Sequence, residues 1–327
     1  MLALTRLSIA GLLIVSCMVI GARLWVESLK YSPVAIQTLS IPAGSTASDV
    51  LSALQPAFSA RERALIFFLY PEFTRVQQGT YAFRANSTVL AALAQIHRGD
   101  AIIERLTIPE GITARELFDR LDAHTSLSSE ISLIEGRWAN LDAEWPAHEG
   151  AFLAETYLWR QNLSRDALLQ QAHDNLIDAL DSAWRDADPV VRSTLASPYE
   201  MLILASIVEK ETALAIERPR IAGVFIERLK RKMRLQTDPT VIYGLGDRFD
   251  GNLTRQHLRE KTAYNTYRID GLPPTPIALV GPDALYAVSK PEITGELYFV
   301  ADGSGGHVFS RTLEEHNANV RKYQLKR

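Results

Sequence analysis

Hydrophobic positions fall into three regimes along the chain. The first is a nearly unbroken apolar run, LSIAGLLIVSCMVIGA, Leu7 to Ala22, interrupted by Arg23 and resumed by Leu24, Trp25 and Val26. With the arginine snorkelling, the stretch reaches the roughly 20 residues that a bilayer-spanning helix needs. No small-x-small pattern closes it as a signal peptidase site would, so a retained transmembrane anchor over residues 1–30 is expected. Ile14-Val15-Ser16-Cys17 loosely resembles a lipid-attachment box, but apolar residues continue past the cysteine. Arg6 precedes the run and Arg23 and Lys30 follow it, a balance too even to set an orientation.

The second regime is short and mixed. An extended SPVAIQTLSIPAG leads into STASDVLSALQPAF, where Ser45 or Thr46 can cap a helix and Asp49 suits its first turn. ARERALIFFLY predicts a second helix, QQGTYAF a turn glycine entering a strand, and STVLAALAQIHRG a helix ended by Gly99. Residues 38–104 thus read β-α-α-β-α, a small module placed at 31–104. Its opening recurs: IPAGSTASDVLSAL (Ile41 to Leu54) and IPEGITARELFDRL (Ile108 to Leu121) align without gaps. A strand ending at Pro-x-Gly, a capping threonine and an acid in the first helical turn account for both copies as a folding device.

The third regime, 105–327, alternates long helices with loops. After the loop AEWPAHEGAFLAETYLW, a helix is predicted over Arg165 to about Asp186, another from Pro198, and a third through ERPRIAGVFIERLKRKM, with Pro219 in its first turn. The basic tail of that third helix, Arg228 to Arg234, reads first as a solvated last turn, with a peptidoglycan or phosphate contact as the alternative. Loop-rich sequence follows, and Asp238-Pro239 within it reads as a turn. ELYFVADGSGGHVFS predicts a hairpin around Asp302 to Gly306, and TLEEHNANVRKYQ a capped terminal helix. The fold class is therefore α+β: an N-terminal transmembrane helix, a small α+β module and a mixed helical and β domain.

Composition narrows the chemistry. A net charge of −3 over 327 residues gives no electrostatic case for nucleic acid. The single cysteine, Cys17, excludes an intrachain disulfide and a cysteine-based zinc site, and no His-x-x-x-His is present, so no metal or cofactor is expected. There is no Gly-x-Ser-x-Gly elbow, and GLGDRFDG lacks the lysine of a phosphate loop. The loops are instead rich in Gln236, Thr237, Asp238, Tyr243, Tyr264, Asn265 and Tyr267, with His307 at the hairpin. Aromatic faces and hydroxyl-binding amides of this kind suit a sugar polymer, among other polar ligands.

In LASIVEKETALA, two acids flank a lysine within an apolar helix. At about 100° per residue Glu211 continues the stripe Leu204–Ile207–Val208, whereas Glu209 points the other way, over Leu202, Ala205 and Ser206. Desolvation on the bulkier face raises a carboxyl pKa and keeps the proton that a general acid needs. The pattern alone fits better a Glu211 bonded to backbone or paired with Arg218 or Arg220, and a Glu209 that is solvated or paired.

Taken together in order and spacing, LASIVEKET, ERLKRKMRLQTDPTVIYG, AYNTY, GLPPTPIALVG and LYFVADGSGGHVFS resemble the endolytic murein transglycosylase (YceG-like) family, with IPEG and QGTYAF extending the likeness upstream. The resemblance implies a single-pass protein of the bacterial inner membrane with its catalytic part outside. It implies a LysM-like module ahead of the catalytic domain, and cleavage of the MurNAc–GlcNAc bond of nascent glycan strands to leave 1,6-anhydro ends. It makes Glu211 the catalytic acid and penicillin-binding proteins partners; Glu209, Gln236, Thr237, Asp238, Tyr243, Asn265, Tyr267, Glu155 and His307 are the candidate substrate-site residues beside it. One loop departs: the family's Glu-Gly-x-x-Phe-Pro-Asp-Thr-Tyr becomes EGAFLAETY, Glu149 to Tyr157, with the proline lost and Glu155 in place of the aspartate. Two other readings stay open: a non-catalytic peptidoglycan-binding scaffold, and a hydrolase using Glu211 with Asp238.

Overall fold

The computed structural model describes residues 16–21, 23–123, 148–160 and 164–325. The chain forms two compact units, Met1–Glu104 with Leu158–Asn162, and Arg105–Tyr157 with Leu163–Arg327. Most of the apolar run of the first regime lies outside the described residues. No helix among those described is long and apolar enough to cross a membrane.

In the first unit, β1 (Thr38–Ile41) pairs antiparallel with β2 (Gly79–Ala82), Ile41 opposite Gly79. Helices α1 (Ala47–Leu54), α2 (Ala60–Leu69) and α3 (Val89–Arg98) complete the expected β-α-α-β-α order. Both α1 and α2 begin with reciprocal capping boxes, Thr46 with Asp49 and Ser59 with Glu62. Gly99 takes a left-handed φ of 72° to end α3. Ile41, Leu51, Leu54, Tyr81, Leu93 and Ile96 form the core, and Leu29, from the helical residues 23–30, is buried in the same cluster.

The second copy of the repeat behaves like the first. β3 (Glu104–Thr107) ends before Pro109, and α4 (Ala114–Ala123) follows a threonine cap, Thr113 accepting from the Glu116 amide at 3.2 Å. β3 pairs with β4 (Thr156–Trp159). The second unit is then built on helices: α5 (Arg165–Arg185), α6 (Pro189–Thr194), α7 (Pro198–Glu211) and α8 (Arg218–Lys230). Next come α9 (Asp238–Leu245) and α10 (Pro282–Ser289), the hairpin of β5 (Tyr298–Ala301) and β6 (His307–Ser310), and α11 (Leu313–Asn319).

Three sequence expectations change. Asp238-Pro239 opens α9 rather than forming an isolated turn, because proline is tolerated where the first helical amides have no partner. Residues 282–289 are helical within the stretch read as loop. Arg228 is buried, at 7% exposure, while Lys230 and Arg231 of the same basic tail stay exposed beside Glu227. Ile221, Phe225 and Arg228 stand at i, i+4 and i+7, so the inward face of α8 continues through the arginine.

Helix α7 is the axis of the second unit. Met201 through Glu209 are buried without interruption, with α5, α8, α9 and α10 packed around them. Burial on every side means that the stripe of bulky residues does not by itself distinguish Glu209 from Glu211. Ser206, fully buried, accepts from the Ile277 amide at 3.0 Å and so ties GLPPTPIALVG to the middle of the helix.

Candidate active site

Glu211 is the last residue of α7, where four helical carbonyls lack intrahelical partners and the negative end of the helix dipole disfavours a carboxylate. The Thr237 hydroxyl donates to Oε1 of Glu211. The side chain keeps an opening to solvent, yet the protein around it is dense, and loss of solvation is the leading cause that pushes its pKa up to about 7. Asp238 adds to the rise. The Thr237 hydrogen bond, His307 and Arg228 oppose it. Among the described residues Glu211 forms no ion pair. Such a carboxyl holds a proton near neutrality and can also take one back.

Glu209 is arranged differently. Its Oε1 accepts from Arg218 Nη2 at 2.7 Å and its Oε2 from the Gly281 amide at 3.1 Å. Burial raises its pKa and outweighs the Gly281 N–H and the guanidinium, which pull it down, and the nearby Glu110 adds to the rise. Arg218 also donates to Glu110 at 2.8 Å, and Lys210 donates to the Gly111 carbonyl at 2.9 Å. The turn of the second repeat therefore locks the end of α7. The arginines that seemed available to Glu211 are engaged elsewhere: Arg218 with Glu209 and Glu110, Arg220 with Glu296 at 2.5 Å.

Thr237 is the N-cap residue of α9, but its side chain makes no capping bond, and its hydroxyl donates to Glu211 instead. The cap is held through other threonines. The Thr237 amide donates to Thr266 Oγ1 at 3.0 Å, and Thr240 Oγ1 lies 2.8 Å from Thr266 Oγ1 and donates to the Thr237 carbonyl at 2.9 Å. Gln236, exposed, sits at a left-handed φ of 50°, a conformation that costs a non-glycine residue energy. Its amide donates to the Thr266 carbonyl.

Asn265 is fully buried and pins the AYNTY loop. It donates to the carbonyls of His257 and Glu260 and accepts from the Tyr267 amide at 3.0 Å. That places the Tyr267 hydroxyl 2.7 Å from Asp238 Oδ1. Tyr243 donates to Glu149 at 3.1 Å, and its ring centroid lies 4.9 Å from that of Tyr264. Glu149 in turn accepts from the Ala114 amide at the start of α4. Glu155 is exposed at the entry to β4, and its carbonyl accepts from the Ile108 amide. Residues 142–147 of the same loop lie outside those described.

His307 opens β6. Glu217, in the short turn Ala215–Glu217 after α7, accepts from the His307 amide at 2.9 Å and meets its Nδ1 at 2.8 Å. The structure thus brings Glu211, Thr237, Asp238, Tyr267 and His307 into one neighbourhood. Gln236 and Asn265 are in the supporting backbone, and Glu209 and Tyr243 are tied to other partners. Glu217, Arg228, Thr240 and Thr266 escaped the sequence reading, and Arg218, weighed there as a partner of Glu211, pairs with Glu209 instead. Only Arg228 had a legible signal, its place on the apolar face of α8.

Residues 39–322 match the YceG-like family. The endolytic murein transglycosylase of Bacillus subtilis strain 168 is 29% identical over 306 residues, covering 87% of this chain and 84% of that protein. The protein of the same name from Streptococcus pneumoniae serotype 2 strain D39 is 26% identical over 327 residues, covering 88% of this chain and 58% of its own length. A YceG-like protein of Listeria monocytogenes, known from a 2.6 Å crystal structure, superposes with a TM-score of 0.56 at 28% identity, covering 86% of this chain and 98% of that one.

Proposed function

The chain belongs to the YceG-like family, and from that premise we propose that it is an endolytic peptidoglycan lytic transglycosylase with Glu211 as its acid and base. Its substrate is the nascent glycan strand, cut between MurNAc and GlcNAc, and its product carries a 1,6-anhydro end. One observation carries the reading. Of the two acids at the end of α7, both with pKa values raised by burial, Glu209 is paired with Arg218, while Glu211 is held by a neutral threonine hydroxyl and has no ion-pair partner among the described residues.

Protonated Glu211 donates to the glycosidic oxygen as positive charge develops at C1 of the muramic sugar. The resulting carboxylate then accepts the proton of that sugar's C6 hydroxyl, which attacks C1 and closes the anhydro ring. The nucleophile belongs to the substrate, so one carboxyl serves both steps and no second carboxylate has to activate water. Asp238, bonded to Tyr267, is assigned to orienting the sugar or the loop, with Gln236 and His307 beside it. Anchoring of residues 1–30 in the inner membrane, a LysM-like role for 31–104 and association with penicillin-binding proteins complete the proposal.

The test is product analysis by mass on uncrosslinked peptidoglycan. The full chain releases anhydro-muramyl ends and Glu211→Gln releases none. Reducing ends would establish the two-carboxylate hydrolase, and no release from a folded wild-type chain the scaffold. Full activity in Glu211→Gln would overturn the assignment of the acid.

A further inference from the structure

Arg165, Arg218 and Arg228 are the buried arginines among the described residues, at 7%, 6% and 7% exposure. Taking a guanidinium out of water costs several kcal/mol unless an opposite charge compensates it. Arg165 has Asp122 at 2.6 Å, and Arg218 has Glu209 at 2.7 Å and Glu110 at 2.8 Å. Arg228 has no carboxylate in contact among the described residues. Its Nε donates to the Leu297 carbonyl at 2.6 Å, and its Nη1 to the carbonyls of Leu235 at 2.7 Å and Arg234 at 3.3 Å. Its guanidinium carbon lies 5.1 Å from the Tyr298 ring centroid. Carbonyls take up Nε and Nη1 and a ring faces the guanidinium, but none of these supplies a full counter-charge.

The place of that charge is informative. Leu235 stands two residues before Thr237, which bonds Glu211, and Leu297 immediately precedes β5, whose partner strand carries His307. The cation therefore sits between the two segments that bring side chains to Glu211. We propose that Arg228 is the counter-charge for the carboxylate that Glu211 becomes when it gives up its proton, a positioning residue that acts through Glu211 rather than on the substrate. The inference rests on Glu211 being the acid. With Glu211 protonated, Arg228 is uncompensated. Proton donation creates the missing negative charge, so the step that breaks the glycosidic bond also relieves a buried cation.

The electrostatics of the site agree. Arg228 and His307 lower the Glu211 pKa, against burial and Asp238. The groups that act on Arg228 are Tyr298, Tyr267 and Glu211, and His316 responds to its charge. Tyr267 feels both Glu211 and Arg228. Arg228 is thus the cation on the α8 side of Glu211, with Asp238 on α9 and His307 on β6.

The titration of Glu211 can be followed by carboxyl 13C NMR in the full chain in detergent micelles with labelled glutamate, its resonance identified by its loss in Glu211→Gln. Arg228→Gln keeps hydrogen-bond donation without charge, Arg228→Met keeps length without either, and Arg228→Lys keeps charge. Melting curves confirm which variants fold. The neutral variants should move the midpoint up by about one pH unit, and Arg228→Lys should leave it near the wild-type value. The alkaline limb of kcat/KM should move with it. A folded neutral variant with an unmoved midpoint, or a lysine variant displaced as far as the neutral ones, overturns the inference. A wild-type chain that released no anhydro ends would instead sink the proposed reaction, and the midpoints would still decide the counter-charge.

Discussion

At the residue scale, a carboxyl kept protonated by its surroundings lowers stability where the chain must work. An unfolded chain releases the Glu211 proton near 4.5, whereas the folded chain holds it to about 7. Between those values the folded state binds the extra proton, so stability falls as pH rises through the window and is flat above it. Glu211→Gln escapes that loss. It should be more stable than wild type at pH 8 by at most about 3 kcal/mol, an upper bound because the residue is partly open to solvent. The gap should close below pH 4, as denaturant unfolding at the two pH values will report. Activity should decline as pH rises through about 7, where the acid loses its proton.

Thr237 is the second residue with a divided role. A threonine at an N-cap ordinarily stabilises its helix by bonding a helical amide, but here the hydroxyl goes to Glu211. Thr237→Val should therefore leave the melting temperature nearly unchanged while reducing kcat by about 10–150-fold, the range for a lost hydrogen bond to a charged group. Thr237→Ser should restore most of the rate. A valine variant that melts much lower with a normal rate would show that the threonine serves the fold.

At the scale of elements, the end of α7 is located by charge rather than by shape. Glu209, Arg218 and Glu110 join α7, α8 and the turn before α4, and Gly281 adds the turn before α10. Removing one partner strands a buried charge, so Arg218→Met should cost about 3–5 kcal/mol. Because Glu209 adjoins the helix terminus that carries Glu211, kcat should fall further than stability alone accounts for. Adding Glu209→Leu to Arg218→Met should recover stability, since no buried carboxylate is then left unpaired. Differential scanning calorimetry of the two variants tests this. The repeat Ile41–Leu54 and Ile108–Leu121 shows how one local device serves two ends. Its capping logic was readable in both copies, because threonine and the acid act within four residues. That Glu110 of the second copy meets Arg218 was not, because 108 residues separate them in sequence.

At the scale of the whole molecule, the chain forms two compact units. Leu29 closes the core of the first unit, so Leu29→Ala should cost about 2–4 kcal/mol there. Leu29 is not among the groups that act on Glu211. The 13C titration of Glu211 should therefore be unmoved in that variant while the first unit melts earlier.

What the amino-acid order determined by itself is whatever depends on near neighbours. The β-α-α-β-α order of 38–104 and its caps, the hairpin around Asp302 and the helical end carrying two acids are all of this kind. So is the family, through several short motifs in register. Tertiary structure decided the rest. Helix α7 is buried all round, so no amphipathic stripe ranks Glu209 against Glu211, and their difference comes from partners 9 and 26 residues away, Arg218 and Thr237. A solvated-looking arginine at 228 became an interior cation for the same reason. A pKa is set by the charges and the solvent that the fold places around a group, and these arrive from segments whose distance along the chain carries no trace of their proximity.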